Sequence, residues 1–162
     1  MQALFGVASL AVLVVLLAAV AFEDVRSHRI PDPLNATVLA TGLALSWLMP
    51  APGPLAAMIG VLAGGAFLAM VAILFRRLRG VDGLGFGDVK FLAAAGAWVG
   101  WHGLPPVVLI ASVSALCLAG AQRLARGRFD PQTRMAFGPH LGLATLVVWT
   151  AQAFGAATAG VG

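Results

Sequence analysis

The sequence predicts an all-α, polytopic membrane protein, and two observations carry that prediction. Apolar residues make up 60% of the chain and charged residues only 10%, against roughly 25% charged in a soluble globular domain. Mean hydropathy is +0.97. The charged side chains are also confined to short clusters, so that residues 1–22, 33–75, 91–122 and 135–162 hold none. A helix needs about 20 apolar residues to cross a bilayer. The first and last runs therefore read as single spans, and the two middle runs as helical hairpins. At 162 residues the chain is expected to be one membrane-embedded domain, residues 1–162.

Taken in order, the first span covers about residues 3–22. Ala19-Val20-Ala21 resembles a cleavage site, but no basic segment precedes the apolar run, so it reads as a retained helix. Met49-Pro50-Ala51-Pro52-Gly53-Pro54 breaks the first middle run into spans 34–49 and 55–75. Gly100-Trp101-His102-Gly103-Leu104-Pro105-Pro106 breaks the second into 89–101 and 105–123. The fourth span is short, which tilt or sheltering neighbours accommodate. A sixth span covers 136–157. Gly60 and Gly64 form a Gly-x-x-x-Gly pattern for close helix packing, expected within the chain, with a homodimer left open. Trp47, Trp98, Trp101 and Trp149 are expected mostly at the interfaces.

With six spans, every charged side chain falls on one side. Arg26 and Arg29 lie in the first loop, Arg76, Arg77, Arg79 and Lys90 in the second, and Arg123, Arg126, Arg128 and Arg134 in the third. The positive-inside rule makes that side cytoplasmic and leaves both termini non-cytoplasmic. The third loop, with its Asp130-Pro131 turn, is expected to touch anionic lipid headgroups. A pI near 11.1 would point to nucleic acid in a soluble chain. Here the basic residues set topology, and no nucleic-acid partner is expected. The lone Cys117 excludes a disulfide framework and a cysteine-based zinc site, and reads as a buried, inert thiol. His28 has no second histidine at ligand spacing, so neither a metal nor a cofactor is expected.

Two carboxylates stand at the cytoplasmic boundary. Asp24 follows the first apolar run in Glu23-Asp24-Val25-Arg26-Ser27-His28-Arg29-Ile30-Pro31-Asp32, and Asp88 stands in Gly83-Leu84-Gly85-Phe86-Gly87-Asp88-Val89-Lys90. A charge carried into an apolar segment costs several kcal/mol or so unless it is paired or hydrated. The three glycines are expected to let the backbone reach φ > 0 and approach a substrate closely. Each stretch alone reads as an ordinary charged loop, and Glu23 is an alternative to Asp24. Pro31 and Pro33 start the second span, and Phe137-Gly138-Pro139-His140 opens the last one as a kinked or proline-started helix.

Together these stretches resemble the type IV prepilin peptidase family, membrane aspartyl proteases of the Gly-x-Gly-Asp class. The resemblance rests on Asp24 followed by Pro31-Asp32, on Gly85-Phe86-Gly87-Asp88-Val89-Lys90 with its apolar continuation to Trp101, and on Phe137-Gly138-Pro139. It implies that Asp24 and Asp88 are the catalytic pair. Gly85, Gly87, Lys90, Pro31, Gly138 and Pro139 are candidates for substrate binding or loop support. It also implies a prepilin or pseudopilin substrate, cut beside a short basic leader at the cytoplasmic face of a bacterial inner membrane, with lipids as the other partner. The longer family members carry paired cysteines and an N-methyltransferase activity; these 162 residues lack such a pair, so hydrolysis without methylation is expected.

Peptide hydrolysis needs a base for water and an acid for the carbonyl oxygen and leaving amine, and two carboxyl groups sharing a proton supply both. Ion transport by the same two aspartates is the main alternative, although transporters place such acids nearer the midplane. A silent scaffold is a second alternative, and presenilin-like or signal-peptide-peptidase-like enzymes are rivals within the protease class.

Overall fold

The structure is a computed structural model and describes residues 2–49, 51–80, 85–126 and 136–159. The chain is all-helical among these residues. Its helices are α1 (Gln2–Ser27), α2 (Asp32–Ser46), α3 (Pro54–Arg79), α4 (Phe86–Arg126) and α5 (Gly138–Ala159). α1, α3 and α4 are long and apolar enough to cross a membrane. α2, at 15 residues, is only about 22 Å long at 1.5 Å per residue.

The helix ends follow from local chemistry. Proline starts α2 and α3, where its missing N–H would have no intrahelical partner anyway. Gly80 ends α3 in the left-handed region at φ 70°, after a last turn holding Arg76, Arg77 and Arg79. α4 is interrupted at Gly100, whose φ of 65° and ψ of 177° no helix contains. The next helix resumes directly after Gly100, so that Pro105 and Pro106, expected at the turn and the start of the following span, lie inside it.

Side-chain contacts show how the segments run. Trp98 stacks edge-on against Trp149, and Gln152 of α5 donates to the Val99 carbonyl at 3.1 Å. Residues 86–99 therefore run alongside α5 in the same direction. Beyond the break, Gly103 meets Gln152 and Ser114 Oγ meets His140 Nδ1 at 2.9 Å. Residues 101–126 thus return in the opposite direction. α1 opposes α5, since Asp24 meets Gly138 and Leu17 meets Gly142. α2 runs with the first half of α4, Asn35 lying at Gly87 and Gly42 at Trp98. α3 runs against it, with Gly60 at Gly96 and Gly64 at Leu92. Successive segments alternate in direction, so the end of α1 and the starts of α2, α4 and α5 share one end of the bundle.

The first half of α4 is the centre of the bundle. Phe91, Leu92, Ala94, Ala95, Ala97, Trp98 and Val99 are all buried, while α1, α3 and the second half of α4 expose leucines outward. A Cβ on Gly60 or Gly96 would strike the other glycine's backbone, and one on Gly64 would lie 2.6 Å from the Leu92 carbonyl oxygen. The small-residue face of α3 is therefore closed within the chain. Two expectations need correction. Trp98 and Trp149 are core residues, only Trp47 and Trp101 being exposed, and Trp98 donates its indole N–H to the Val38 carbonyl at 2.8 Å. Cys117 is exposed on the outer surface of the bundle. The third-loop expectations for Arg128, Asp130, Pro131 and Arg134 lie outside the described residues, as does Gly83.

Candidate active site

Asp24 is not in a loop. α1 continues to Ser27, placing Asp24 in its last turn, where only 6% of the residue is exposed. The helix ends when His28 turns to φ 52° and donates its N–H to the Asp24 carbonyl at 2.9 Å. A buried carboxylate needs donors, and the Gly138 N–H supplies one, reaching Asp24 Oδ2 at 2.7 Å. Phe137 caps α5, its carbonyl accepting from His140 and Leu141 at 3.1 Å each. Gly138 is thus the first residue of the helix, and its N–H is one of the donors that a helix start leaves unpaired. The carboxylate also faces the positive end of the α5 dipole. Only glycine fits here, because a Cβ on residue 138 would lie 2.7 Å from that oxygen. Pro139 follows in the first turn, where it sacrifices no hydrogen bond.

Asp88 lies in the first turn of α4 and is half-buried. Its N–H donates to the Gly85 carbonyl at 3.1 Å, and its Oδ2 is 3.4 Å from where a Gly85 Cβ would stand. The carboxylate thus folds back over the helix start. Asp24 stands at the same end of the bundle. Neither Gly85 nor Gly87 takes a positive φ; among the described glycines only Gly80 and Gly100 do. Gly87 is a helical residue whose missing side chain lets Ile30 approach, a Cβ there standing 3.4 Å from the Ile30 nitrogen. The expected left-handed turn is not formed at these positions, because α4 begins earlier than the apolar run that announced it.

Pro31 caps α2, its carbonyl accepting from Leu34 and Asn35 at 3.1 Å each. Lys90 pairs with Asp32 at 2.6 Å on the surface, tying the start of α2 to the start of α4. Of the candidate residues, then, Asp24 joins Gly138, and Asp88 joins Gly85. Gly87 and Lys90 belong to the contact between α2 and α4, and Pro31 caps α2. Sequence reasoning passed over Asn35, which is 5% exposed and donates its Nδ2–H to the Gly87 carbonyl at 3.5 Å. Its only sequence signal was an amide in a charge-free apolar run. Among the described residues, no three of His, Cys, Asp and Glu gather as a metal site requires.

Comparison with known proteins places the chain in a family. Residues 11–120 match the model of the type IV leader peptidase family. A prepilin leader peptidase/N-methyltransferase of Burkholderia pseudomallei (strain 1026b) is 41% identical over 137 residues, covering 83% of this chain and 44% of the relative. One from Xanthomonas campestris pv. campestris is 38% identical over 136 residues, 82% and 46% of the two chains. One from Dickeya chrysanthemi is 41% identical over 125 residues, 76% and 43%. The chain thus spans less than half the length of these curated relatives. No solved structure matches it.

Proposed function

The chain belongs to the type IV leader peptidase family, and on that premise we propose that Asp24 and Asp88 are an aspartyl pair that cleaves prepilin or pseudopilin precursors within the membrane boundary. The observation that supports the proposal is that two carboxylates from distant helices, Asp24 buried and Asp88 half-buried, stand at the same end of the bundle. One carboxylate takes a proton from water, which attacks the scissile carbonyl. The other carboxyl group hydrogen-bonds the developing oxyanion and delivers the proton to the leaving amine. Which residue starts in which role is a property of the pair. The Gly138 N–H holds Asp24 and leaves its second oxygen for this chemistry.

The alternating segments support six crossings of a bacterial inner membrane, with the basic loops and the aspartates cytoplasmic and both termini outside. Substrate would arrive as a helix with a short basic leader and be cut beside the apolar segment. For these 162 residues we propose hydrolysis alone. The ion-transport reading is not favoured, since both aspartates sit at the end of the bundle instead of its middle.

The test is a cleavage assay in detergent or liposomes with a prepilin-type substrate, read by mass spectrometry. Wild type should release the leader without added methyl mass on the product, and Asp24→Asn and Asp88→Asn should not. Turnover by either variant would refute the pair. No cleavage by folded wild-type protein would direct attention to ion flux through the same residues.

A further inference from the structure

Asn35 is the buried polar group that the mechanism above does not use. It lies in the first turn of α2, within an apolar stretch, with 5% of the residue exposed. Its Nδ2–H reaches the Gly87 carbonyl at 3.5 Å, across 52 residues of sequence, while its Oδ1 is buried without a partner among the described residues. An unpaired buried acceptor is destabilising, and a leucine of similar size would remove it. Nor does α2 need an amide at this position, because its start is formed by Pro31 and its backbone bonds. The contact this side chain makes among the described residues is with that one carbonyl.

That carbonyl belongs to the peptide whose nitrogen is Asp88's. Rotation of this peptide plane swings the Asp88 Cα–Cβ bond and moves the carboxylate relative to Asp24. Two further contacts converge on the same turn: Ile30 lies against the bare Cα of Gly87, and Asp32 pairs with Lys90. The ion pair is exposed and so weak in water, and the apolar contact is non-directional. At the start of α4 the Asp88 N–H already bonds the Gly85 carbonyl; of the contacts from outside α4, that of Asn35 is the directed one. We infer that Asn35 is a positioning residue for Asp88: its amide fixes the Gly87–Asp88 peptide at the angle from which the Asp88 carboxylate meets Asp24. This rests on the proposed function, in which Asp88 is catalytic.

The test compares full-length wild type, Asn35→Leu, Asn35→Ala and Asp88→Asn in detergent, measuring kcat and KM on a prepilin-type substrate together with thermal unfolding. Asn35→Leu is expected to keep KM within about twofold and to unfold no lower than wild type. Its kcat should fall on the order of 100-fold, as for an ångström-scale misplacement of a reacting group. Wild-type kcat in folded Asn35→Leu, with Asp88→Asn inactive, would overturn the Asn35 inference alone. A raised KM at unchanged kcat would overturn it in favour of substrate binding. Loss of folded protein in both Asn35 variants would make the residue a part of the fold and overturn it too. Inactive wild type, or active Asp88→Asn, would instead remove the proposed function and the inference with it.

Discussion

Gly138→Ala tests the link between the last helix and the first aspartate. The added Cβ would stand 2.7 Å from Asp24 Oδ2 and 3.0 Å from its Cβ and Cγ. That is nearly 1 Å inside the ~3.5 Å at which non-bonded atoms attract best. Neither partner can simply bend away, since one is the first turn of a helix and the other a short buried side chain. Overpacking of this kind costs about 1–3 kcal/mol. If the helix start retreats, the charge-assisted hydrogen bond is lost as well, at about 1.5–3 kcal/mol. The expected result is therefore a destabilisation of roughly 2–5 kcal/mol, combining those two ranges without full additivity. Residual folded enzyme should also show about a 100-fold lower kcat, because Asp24 has moved. Thermal unfolding in detergent and the leader-cleavage assay read the two effects. Gly142→Ala, one turn further along α5, is the control: its Cβ meets nothing closer than 3.8 Å, so stability and turnover should stay near wild type. Wild-type stability and cleavage in Gly138→Ala would refute the packing argument, and equal damage from Gly142→Ala would refute its specificity.

The remaining predictions concern other parts of the bundle. Gly60→Ala and Gly96→Ala force a methyl group against facing backbone and should each lower stability by about 1–3 kcal/mol or more; normal unfolding temperatures would show that α3 and α4 can separate freely. Trp98→Phe keeps the aromatic bulk but removes the indole donor to the Val38 carbonyl, which still accepts from Thr41 Oγ1, for an expected loss of about 0.5–1.5 kcal/mol, checked by thermal unfolding. Asp32→Ala should change stability by less than about 1 kcal/mol, because its pairing with Lys90 is largely solvated; a larger effect would mean the pair is buried under working conditions. Reversing the charge of the substrate leader should alter cleavage less than substitutions at the cut or in the following helix. A steep dependence of kcat/KM on leader charge would refute that order.

Much of the helical layout was legible because punctuation is local. The Gly53-Pro54 break and Gly100 lie where segments were expected to end, while α3 runs past the expected residue 75 to Arg79 and stops at Gly80, which the charge pattern does not mark. The charge clusters likewise placed Asp24 and Asp88 at one end of the bundle. What could not be read was which way an apolar residue faces. In lipid, a helix can be apolar on its core side and on its outer side alike, so hydrophobic periodicity carries little orientation. Trp98 and Trp149 were therefore assigned to the interface although they stack in the core, and Cys117 to the interior although it is exposed. Helix ends near charged residues failed for a related reason. Asp24 looked like a loop residue because charge marked the end of the apolar run, but its donor comes from a helix 114 residues away. Asn35 was silent because its meaning lies in one carbonyl across the bundle.

The hydrogen bond between Asp24 and Gly138 also bears on when the protein can work. α1 carries the carboxylate, and α5, made later, carries its partner. At about 5–20 residues per second, the separation of 114 residues corresponds to roughly 6–23 s of synthesis. During that interval Asp24 lacks the amide that holds it. A ribosome-stalled chain ending before Gly138 is expected to show no leader cleavage. On the proposed function, cleavage would then begin only once α5 has been made and has docked, so that a partly made chain cannot cut neighbouring membrane segments while they are being inserted together.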